Sequence, residues 1–333
     1  EGVFLLNNLL LVGMAFATLW GTLFPLISAA IRGQTMTVGP PFYNQVMAPL
    51  IVILILAMGV GPLLAWRRTS PTALWRNLSV PVVIAALCAA LLPLLGVTDI
   101  AANVGFAICA FTAGAILYEL WRGARVRHRH GEPYALAVYM LFNRYRQRYG
   151  GYLVHLGLVM LTIGIIGSHY FQVQQDAVLK AGQEMSLAGC QFTFLGNIDV
   201  TKPDQESVEA QVQIWHNGRL LGYVYPGRTV YRNYDNQPAS QISITTLGVT
   251  DLYVFLADWQ GGAQATIRVF VNPLVPLIWY GGLLMLLGGI FCWWPERRRI
   301  SRTVPSVAGS RAARGSKTSA QEPLNETGKG VVV

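Results

Sequence analysis

One histidine that can ligate a metal lies inside an apolar stretch long enough to span a membrane. His155 falls about one turn into the stretch at 151–171, where an ionisable group is costly and is a functional candidate by default. A neutral imidazole at that depth keeps one ring nitrogen free as a ligand. Gly151 on the same face leaves room for a porphyrin edge, and Arg148, one turn further down, can meet a propionate. These residues alone leave two interpretations of His155 open, a haem ligand and a histidine hydrogen-bonded to a neighbouring helix, of which the second is the commoner case.

His169 is a second candidate on the same stretch. It follows His155 by about 14 residues, which puts it about 40° off that face and roughly 21 Å away along a helix. The spacing suits one haem in each leaflet, but such a bundle needs a second helix with two histidines. None of the other predicted spans contains a histidine. We therefore expect His169 to be an interfacial residue at the end of its span.

The composition predicts a membrane protein. Apolar residues make up 53% and charged residues only 12% of the 333 residues, whereas soluble domains carry about 25% charged residues. Six apolar stretches are long enough to cross ~30 Å of hydrocarbon. They lie at roughly 7–31, 46–66, 79–97, 100–121, 151–171 and 274–294. The predicted fold class is a polytopic α-helical membrane protein with about six spans, five of them within residues 1–171 and the last at 274–294.

Residues 172–273 predict a small all-β domain inserted before the last span. Apolar and polar residues alternate at 208–214, and this run leads into Asn217-Gly218, a strong signal for a two-residue hairpin. His216, beside that turn, is expected to be a solvated turn residue. Six or seven short strands suit an antiparallel barrel or sandwich. The other strands are predicted at 191–195, 220–225, 241–246, 252–256 and 265–271.

The distribution of basic residues predicts the orientation. The chain has a net charge of +9, which can indicate nucleic-acid binding, but its basic residues cluster in short segments beside apolar runs, so we expect no nucleic-acid partner. Most of the 25 Lys and Arg residues fall in 67–78, 122–150 and 295–333. Those segments and both chain ends are therefore expected on the cytoplasmic side, with 172–273 outside the cytoplasm. The tail at 295–333 is expected to be disordered.

Residues 122–150 are predicted to form a basic cytoplasmic loop. His128 and His130 form a His-x-His pair, but Arg127 and Arg129 flank it and would repel a metal cation. The aromatic and arginine-rich second part of the loop is typical of a short helix at the membrane surface, with arginines reaching anionic headgroups.

The cysteines exclude two kinds of chemistry. Cys88, Cys109, Cys190 and Cys292 form neither C-x-x-C nor C-x-x-C-H, so the chain is expected neither to carry covalent haem c nor to exchange dithiols. Only Cys190 lies in the predicted β domain, which excludes a disulfide within that domain. The chain opens at Glu1 without Met or a signal-peptide pattern, and we expect it to be the later part of a longer protein or one piece of a split one.

Several blocks in this order resemble the C-terminal half of the CcmF family, the integral-membrane haem lyase subunits of bacterial cytochrome c maturation. The resemblance extends along nearly the whole chain up to about Arg299. Its most specific block, at 148–157, contains His155. The blocks are Leu6-Asn7-Asn8, Val38-Gly39-Pro40-Pro41-Phe42-Tyr43-Asn44, Arg148-Tyr149-Gly150-Gly151-Tyr152-Leu153-Val154-His155-Leu156-Gly157, Asn272-Pro273-Leu274-Val275 and Ile278-Trp279-Tyr280-Gly281-Gly282.

The resemblance implies a function in the bacterial inner membrane, with the β domain in the periplasm. Such proteins, with other maturation subunits, attach haem from a haem chaperone to the C-x-x-C-H cysteines of apocytochromes c. They also hold a non-covalent b haem that relays electrons, with quinol as a candidate donor. The matching histidine, here His155, is an axial ligand of that b haem, whereas His169 matches no family ligand position.

The chain also departs from the family pattern. The Trp-rich segment that handles the incoming haem, the two outer histidines and the partner ligand of the b haem belong before residue 1. The resemblance therefore implies that the transient haem substrate is handled mainly outside this chain, which on its own is an incomplete lyase without catalytic residues. Two alternatives remain at this stage. They are a non-catalytic scaffold or transporter with a structural His155, and a two-haem b-type electron-transfer cytochrome that uses His155 and His169.

Overall fold

The computed structural model describes residues 2–63, 71–202, 205–231, 238–260 and 264–294. Six of its helices are long and apolar enough to cross a membrane, as the sequence predicts. The predicted tail at 295–333 and the basic pair Arg67-Arg68 lie outside the described residues. The helices are α1 (Gly2–Arg32), α2 (Pro40–Val60), α3 (Pro71–Leu91), α4 (Ile100–His128), α5 (Tyr134–Arg144), α6 (Arg146–Tyr170) and α7 (Pro276–Trp293), and all except α5 are candidate spans.

Local sequence explains where two of these helices begin. Helix α2 begins after the extended Gly39 with proline in its first turn. Proline suits this position because an N–H group there would have no partner within the helix. At the start of α4, the Asp99 side chain accepts a 2.9 Å hydrogen bond from the Ala102 amide, a cap that satisfies one unpaired N–H group of the first turn. The membrane-spanning helices therefore begin at defined residues.

The basic segment at 122–150 differs from the predicted loop because most of it is helical. Helix α4 continues to His128 and α6 already begins at Arg146. Between them, α5 is the expected short helix. It ends at Arg144, and Tyr145 has non-helical backbone angles, with φ −127° and ψ 55°. Arginine, leucine and alanine are strong helix formers, so an apolar stretch marks where a span leaves the hydrocarbon and not where its helix ends.

Glycines bring α6 and α7 into backbone contact. Gly150, Gly157 and Gly164 recur every seven residues on α6, as Gly281 and Gly288 do on α7. A Cβ added to Gly157 would lie 2.7 Å from the Gly281 carbonyl oxygen, and one added to Gly281 would lie 2.6 Å from the Gly157 carbonyl oxygen. Small residues at such spacing let helices approach closely in lipid. This face of α6 is therefore fully used for packing.

The β domain contains ten strands in the described residues, more than the six or seven predicted. The strands β1, β2, β6 and β7 were missed because they are short or polar and lack the alternation of a half-buried strand. The strands are β1 (Val173–Lys180), β2 (Glu184–Leu187), β3 (Cys190–Lys202), β4 (Gln205–His216), β5 (Arg219–Val224), β6 (Gly227–Tyr231), β7 (Pro238–Gln241), β8 (Ser243–Leu247), β9 (Thr250–Gln260) and β10 (Gln264–Pro273).

These strands form two antiparallel sheets. One has the order β1-β10-β9-β8, and the other has the order β2-β3-β4-β6-β7 with β5 also paired to β4. Between them lies one core of buried side chains, which includes Phe192, Phe194, Ile214, Val254 and Ile267. Of the two predicted architectures, the sandwich is the one observed.

The hairpin predicted at Asn217-Gly218 is present, with φ values of 50° and 76° at the two turn residues. His216 differs from the solvated turn residue that the sequence indicated. It is half-buried, and its Nδ1 lies 3.4 Å from Sγ of the buried Cys190. The two residues face each other across β3 and β4, a pairing that only the strand register reveals.

Hydrogen bonds join the β domain to the segments next to α6 and α7. Just after α6, the Gln172 amide donates a 2.6 Å hydrogen bond to Oδ1 of Asn272, which is 4% exposed at the end of β10. Leu274, which leads into α7, has a φ of 67° and donates its N–H to the Val249 carbonyl at 2.7 Å. The β domain is therefore connected to the membrane helices by more than the two chain crossings.

Candidate functional site

The site predicted around His155 lies on α6, at the end of the helix bundle far from the β domain. His155 is half-buried, and its Nδ1 atom is buried with no hydrogen-bond partner among the described residues. A buried polar atom without a partner costs about 1–3 kcal/mol. The contact to a neighbouring helix that a structural histidine would make is therefore not seen at this nitrogen, which leaves it suited to a ligand.

Gly151 lies one turn from His155 beside open space. A Cβ added there would meet no atom within 4 Å, whereas a Cβ on the adjacent Gly150 would lie 2.6 Å from Sγ of Cys292. The two neighbouring glycines thus differ in purpose. Gly150 is required for packing against α7, and Gly151 leaves volume on the face that carries His155.

Arg148 is on the same face one turn further along, as predicted, but it is already partly engaged. Its Nε donates to the Tyr152 hydroxyl at 2.9 Å, and its Nη2 donates to Oε1 of Glu119 at 2.5 Å. A guanidinium has five N–H donors in a fixed plane, so two contacts orient it and leave other donors available. Its side chain is 52% exposed, which suits contact with an added anionic group.

Glu119 is a component of the site that the sequence analysis missed. Its side chain is 7% exposed and also lies 2.8 Å from Nη2 of Arg122. Arg122 in turn donates to Oδ1 of Asn77 at 3.1 Å. The lone carboxylate within the mostly apolar α4 was the available signal. It holds a network that joins α3, α4 and α6 beside the His155 face.

Packing encloses this face of α6 from two sides. Leu158, about one turn beyond His155, contacts Leu10 of α1 with Leu54 and Met58 of α2. On the other side, Tyr152 belongs to a buried cluster with residues of α4 and α5. The glycines that pack against α7 lie on another side of α6, so the open space at Gly151 does not face α7.

Comparison with known proteins matches this architecture. Residues 170–273 match the family model described as the CcmF C-terminal beta-sandwich. A solved structure named cytochrome c heme lyase CcmF superposes with a TM-score of 0.71 and 28% identity over 89% of this chain and 46% of that chain. The chain is similar to the C-terminal portion of CcmF.

The curated CcmF relatives align with nearly the whole chain. The cytochrome c-type biogenesis protein CcmF of Pseudomonas aeruginosa is 31% identical over 303 residues, which is 90% of this chain and 44% of that protein. The protein of the same name from Escherichia coli is 28% identical over 304 residues, again 90% and 44%. The chain spans a little under half the length of these CcmF proteins and corresponds to their C-terminal portion.

Three other histidines have surroundings that differ from those of His155. His169 is exposed at the opposite end of α6, where its ring lies 4.9 Å from that of Tyr170. The Nδ1 atoms of His128 and His130 each lie 2.8 Å from a backbone carbonyl oxygen, those of Glu132 and Val126. Within the described ranges, no three His, Cys, Asp or Glu residues gather in a way that could hold a metal ion.

Proposed function

We propose that the chain forms the C-terminal portion of a haem lyase subunit and holds a non-covalent b haem through His155. The observation that carries this proposal is the buried Nδ1 of His155, which has no partner among the described residues and lies on the face that Gly151 leaves open. The names of the CcmF relatives and of the matching structure support haem chemistry in cytochrome c biogenesis. Together these findings favour a haem ligand over a structural histidine.

Each residue of the site has a separate task in this proposal. His155 would supply an imidazole nitrogen to the iron, Gly151 would leave volume for the porphyrin edge, and Arg148 would offer charged donors to a propionate. Glu119 fixes Arg148 in position through the 2.5 Å contact. When bound, the haem would supply one-electron redox chemistry.

We assign the attachment reaction to the whole protein, because its relatives are about twice as long as the aligned region. The reacting thiols come from the C-x-x-C-H cysteines of apocytochrome c, so no catalytic residue is assigned here. The transient haem substrate and the second axial ligand of the b haem are assigned to segments outside these residues. The proposed partners are apocytochrome c, a haem chaperone and the other maturation subunits, with quinol as one candidate electron donor.

We propose the bacterial inner membrane as the location, with the β domain in the periplasm and both ends of the chain in the cytoplasm. Even numbers of crossings return a chain to its starting side, and the structure has six candidate spans with the β domain before the last. Most Lys and Arg residues fall on the side opposite that domain, as the positive-inside rule requires. The His155 site is then near the inner leaflet.

Optical difference spectra of the full-length protein test the proposal. The reduced-minus-oxidised spectrum of the purified wild-type protein is expected to show a b-type haem that is absent from His155→Ala. His169→Ala is the matched control on the same helix, and we expect its spectrum and its cytochrome c maturation to be unchanged. An unaltered spectrum in His155→Ala would favour the scaffold alternative. Loss of one haem in each variant would favour the two-haem cytochrome, which the exposure of His169 does not support.

A further inference from the structure

The strand β8 (Ser243–Leu247) ends the four-stranded sheet and pairs only with β9 among the described residues. A two-residue turn, Gly248-Val249, joins the two strands, and Gly248 has a φ of 65°. Leu247 and Thr250 flank this turn as register partners. One long side of β8 is therefore a free sheet edge within the part of the chain that the structure describes.

The register identifies which backbone groups face outward. In a two-residue hairpin the residues that flank the turn hydrogen-bond to each other, and hydrogen-bonded pairs then alternate with non-hydrogen-bonded pairs. Leu247, Thr245 and Ser243 consequently direct their N–H and C=O groups toward β9. Ile244 and Thr246 direct theirs away from it, so they present a row of donors and acceptors that only another extended backbone can match.

This edge lacks the usual protection against pairing. Exposed edges normally carry charges, proline or a covering element, yet β8 and the turn that follows it, residues 243–249, contain no Lys, Arg, Asp, Glu or Pro. The opposite edge strand of the same sheet, β1, has Asp176 and Lys180 on either side of Val178. Val178 and Ile244 are nearly equally exposed, at 58% and 56%, so the two edges differ in charge and not in apolar exposure.

The β8 edge also ends close to the start of α7. Val249, in the turn that follows β8, is 51% exposed and accepts the 2.7 Å hydrogen bond from Leu274 at the entrance to α7. In the proposed orientation, a segment added to β8 would therefore lie close to the periplasmic surface of the inner membrane.

We propose that β8 binds an extended segment of the apocytochrome polypeptide by strand addition. Identifying this segment as apocytochrome rests on the proposed function. Main-chain hydrogen bonds supply affinity that does not depend on side chains, and an uncharged edge does not select for substrate charge. Such a surface suits substrates that share only a short C-x-x-C-H motif. Five residues of β8 match roughly 17 Å of extended chain.

A labelled, reduced 20-residue peptide with a central C-x-x-C-H motif tests the proposal against the full-length protein in nanodiscs without added haem. Ile244→Lys places a charge at the edge, and Ile244→Pro removes an outward N–H while the bonds to β9 remain. We expect each variant to weaken binding about tenfold, or ~1.4 kcal/mol. Val178→Lys is the matched control and should bind as the wild type does. Hydrogen exchange should show peptide-dependent protection of the Ile244 and Thr246 amides.

Three outcomes would overturn the proposal. The first is that a peptide N-methylated on alternate residues binds as tightly as the unmethylated peptide. The second is that both Ile244 variants fold and keep the wild-type affinity. The third is a protein dimer that Ile244→Lys dissociates, which would identify a second copy as the occupant. Because the assay needs no haem, its failure is separate from failure of the haem site. A b-type spectrum without peptide binding rejects only the inference, whereas peptide binding without that spectrum rejects the haem proposal.

Discussion

The Nη2 atom of Arg148 lies 2.5 Å from Oε1 of Glu119, and this ion pair joins α6 to α4 beside the face that carries His155. The carboxylate is buried, but the guanidinium is half-exposed, so Glu119 can fix the direction of Arg148 while the arginine still meets another anion. The pair gives a reason for a charged residue deep in α4.

Glu119→Gln should raise the reduction potential of the b haem. The substitution removes a negative charge near the proposed site, which favours the reduced iron relative to the oxidised iron, and it loosens Arg148. Potentiometric titration of the purified full-length protein measures this change. Glu184→Gln, an equal charge change on the exposed β2 strand, should leave the potential unaltered. A potential that does not move, or that moves equally in both variants, would contradict the role given to Glu119.

Gly151→Leu should abolish haem binding without unfolding the helices. The site for the new side chain is open, since a Cβ there meets nothing within 4 Å, but the side chain would occupy the volume assigned to the porphyrin. Gly157→Ala should instead lower the thermal stability, because its Cβ would lie 2.7 Å from the Gly281 carbonyl oxygen and would separate α6 from α7. Pigment content and thermal stability, measured on both variants, distinguish the two effects, and normal pigment in folded Gly151→Leu would count against the assigned volume.

The Asp176–Arg268 pair should stabilise the β domain at neutral pH and lose this effect in acid. Hydrogen bonds from Arg268 hold the pKa of the Asp176 carboxyl below its usual value of 3.8. A lowered folded-state pKa contributes stability above the unfolded value, and that contribution is lost as the pH falls through the folded value. Asp176→Asn should therefore be slightly less stable than the wild type at pH 7, since exposed pairs contribute little, and the difference should disappear as the pH falls through the lowered pKa of Asp176. Hydrogen exchange of β1 and β10 amides across this pH range measures the difference, and a pH-independent difference would refute it.

Cys190 should resist alkylation in the folded protein. It is 1% exposed, and burial raises the pKa of its thiol, so little reactive thiolate is present near pH 7.5. His216→Ala removes the ring that lies 3.4 Å from the sulfur and should accelerate labelling by opening a path to it. Mass spectrometry after maleimide treatment follows the reaction at this residue, with the denatured protein as the fully labelled reference. Rapid labelling of the folded wild type would contradict this account.

Features that depend on nearby residues could be predicted from the sequence. The six spans follow from the lengths of apolar runs, and the hairpin at Asn217-Gly218 follows from a two-residue signal. The common face of Arg148, Gly151 and His155 follows from helical periodicity alone. In each case the determining residues lie within one element or one turn.

Features that depend on packing could not be predicted in this way. Glu119 and Arg148 meet only because α4 and α6 are neighbours, and the contact of Cys190 with His216 requires the register of β3 and β4. The extension of α4 to His128 was missed because hydropathy detects the membrane and not the end of the helix. The short strands β2 and β7 have only four residues each, too few to show a period.

Chemical rescue of His155→Gly in the full-length protein tests the central claim most directly. The variant leaves a space of imidazole size, so its b-type spectrum should be absent without added imidazole and should return when imidazole is supplied, while His169→Gly keeps its spectrum throughout. A His155→Gly protein that retains the wild-type spectrum without imidazole would show that this side chain does not ligate the iron.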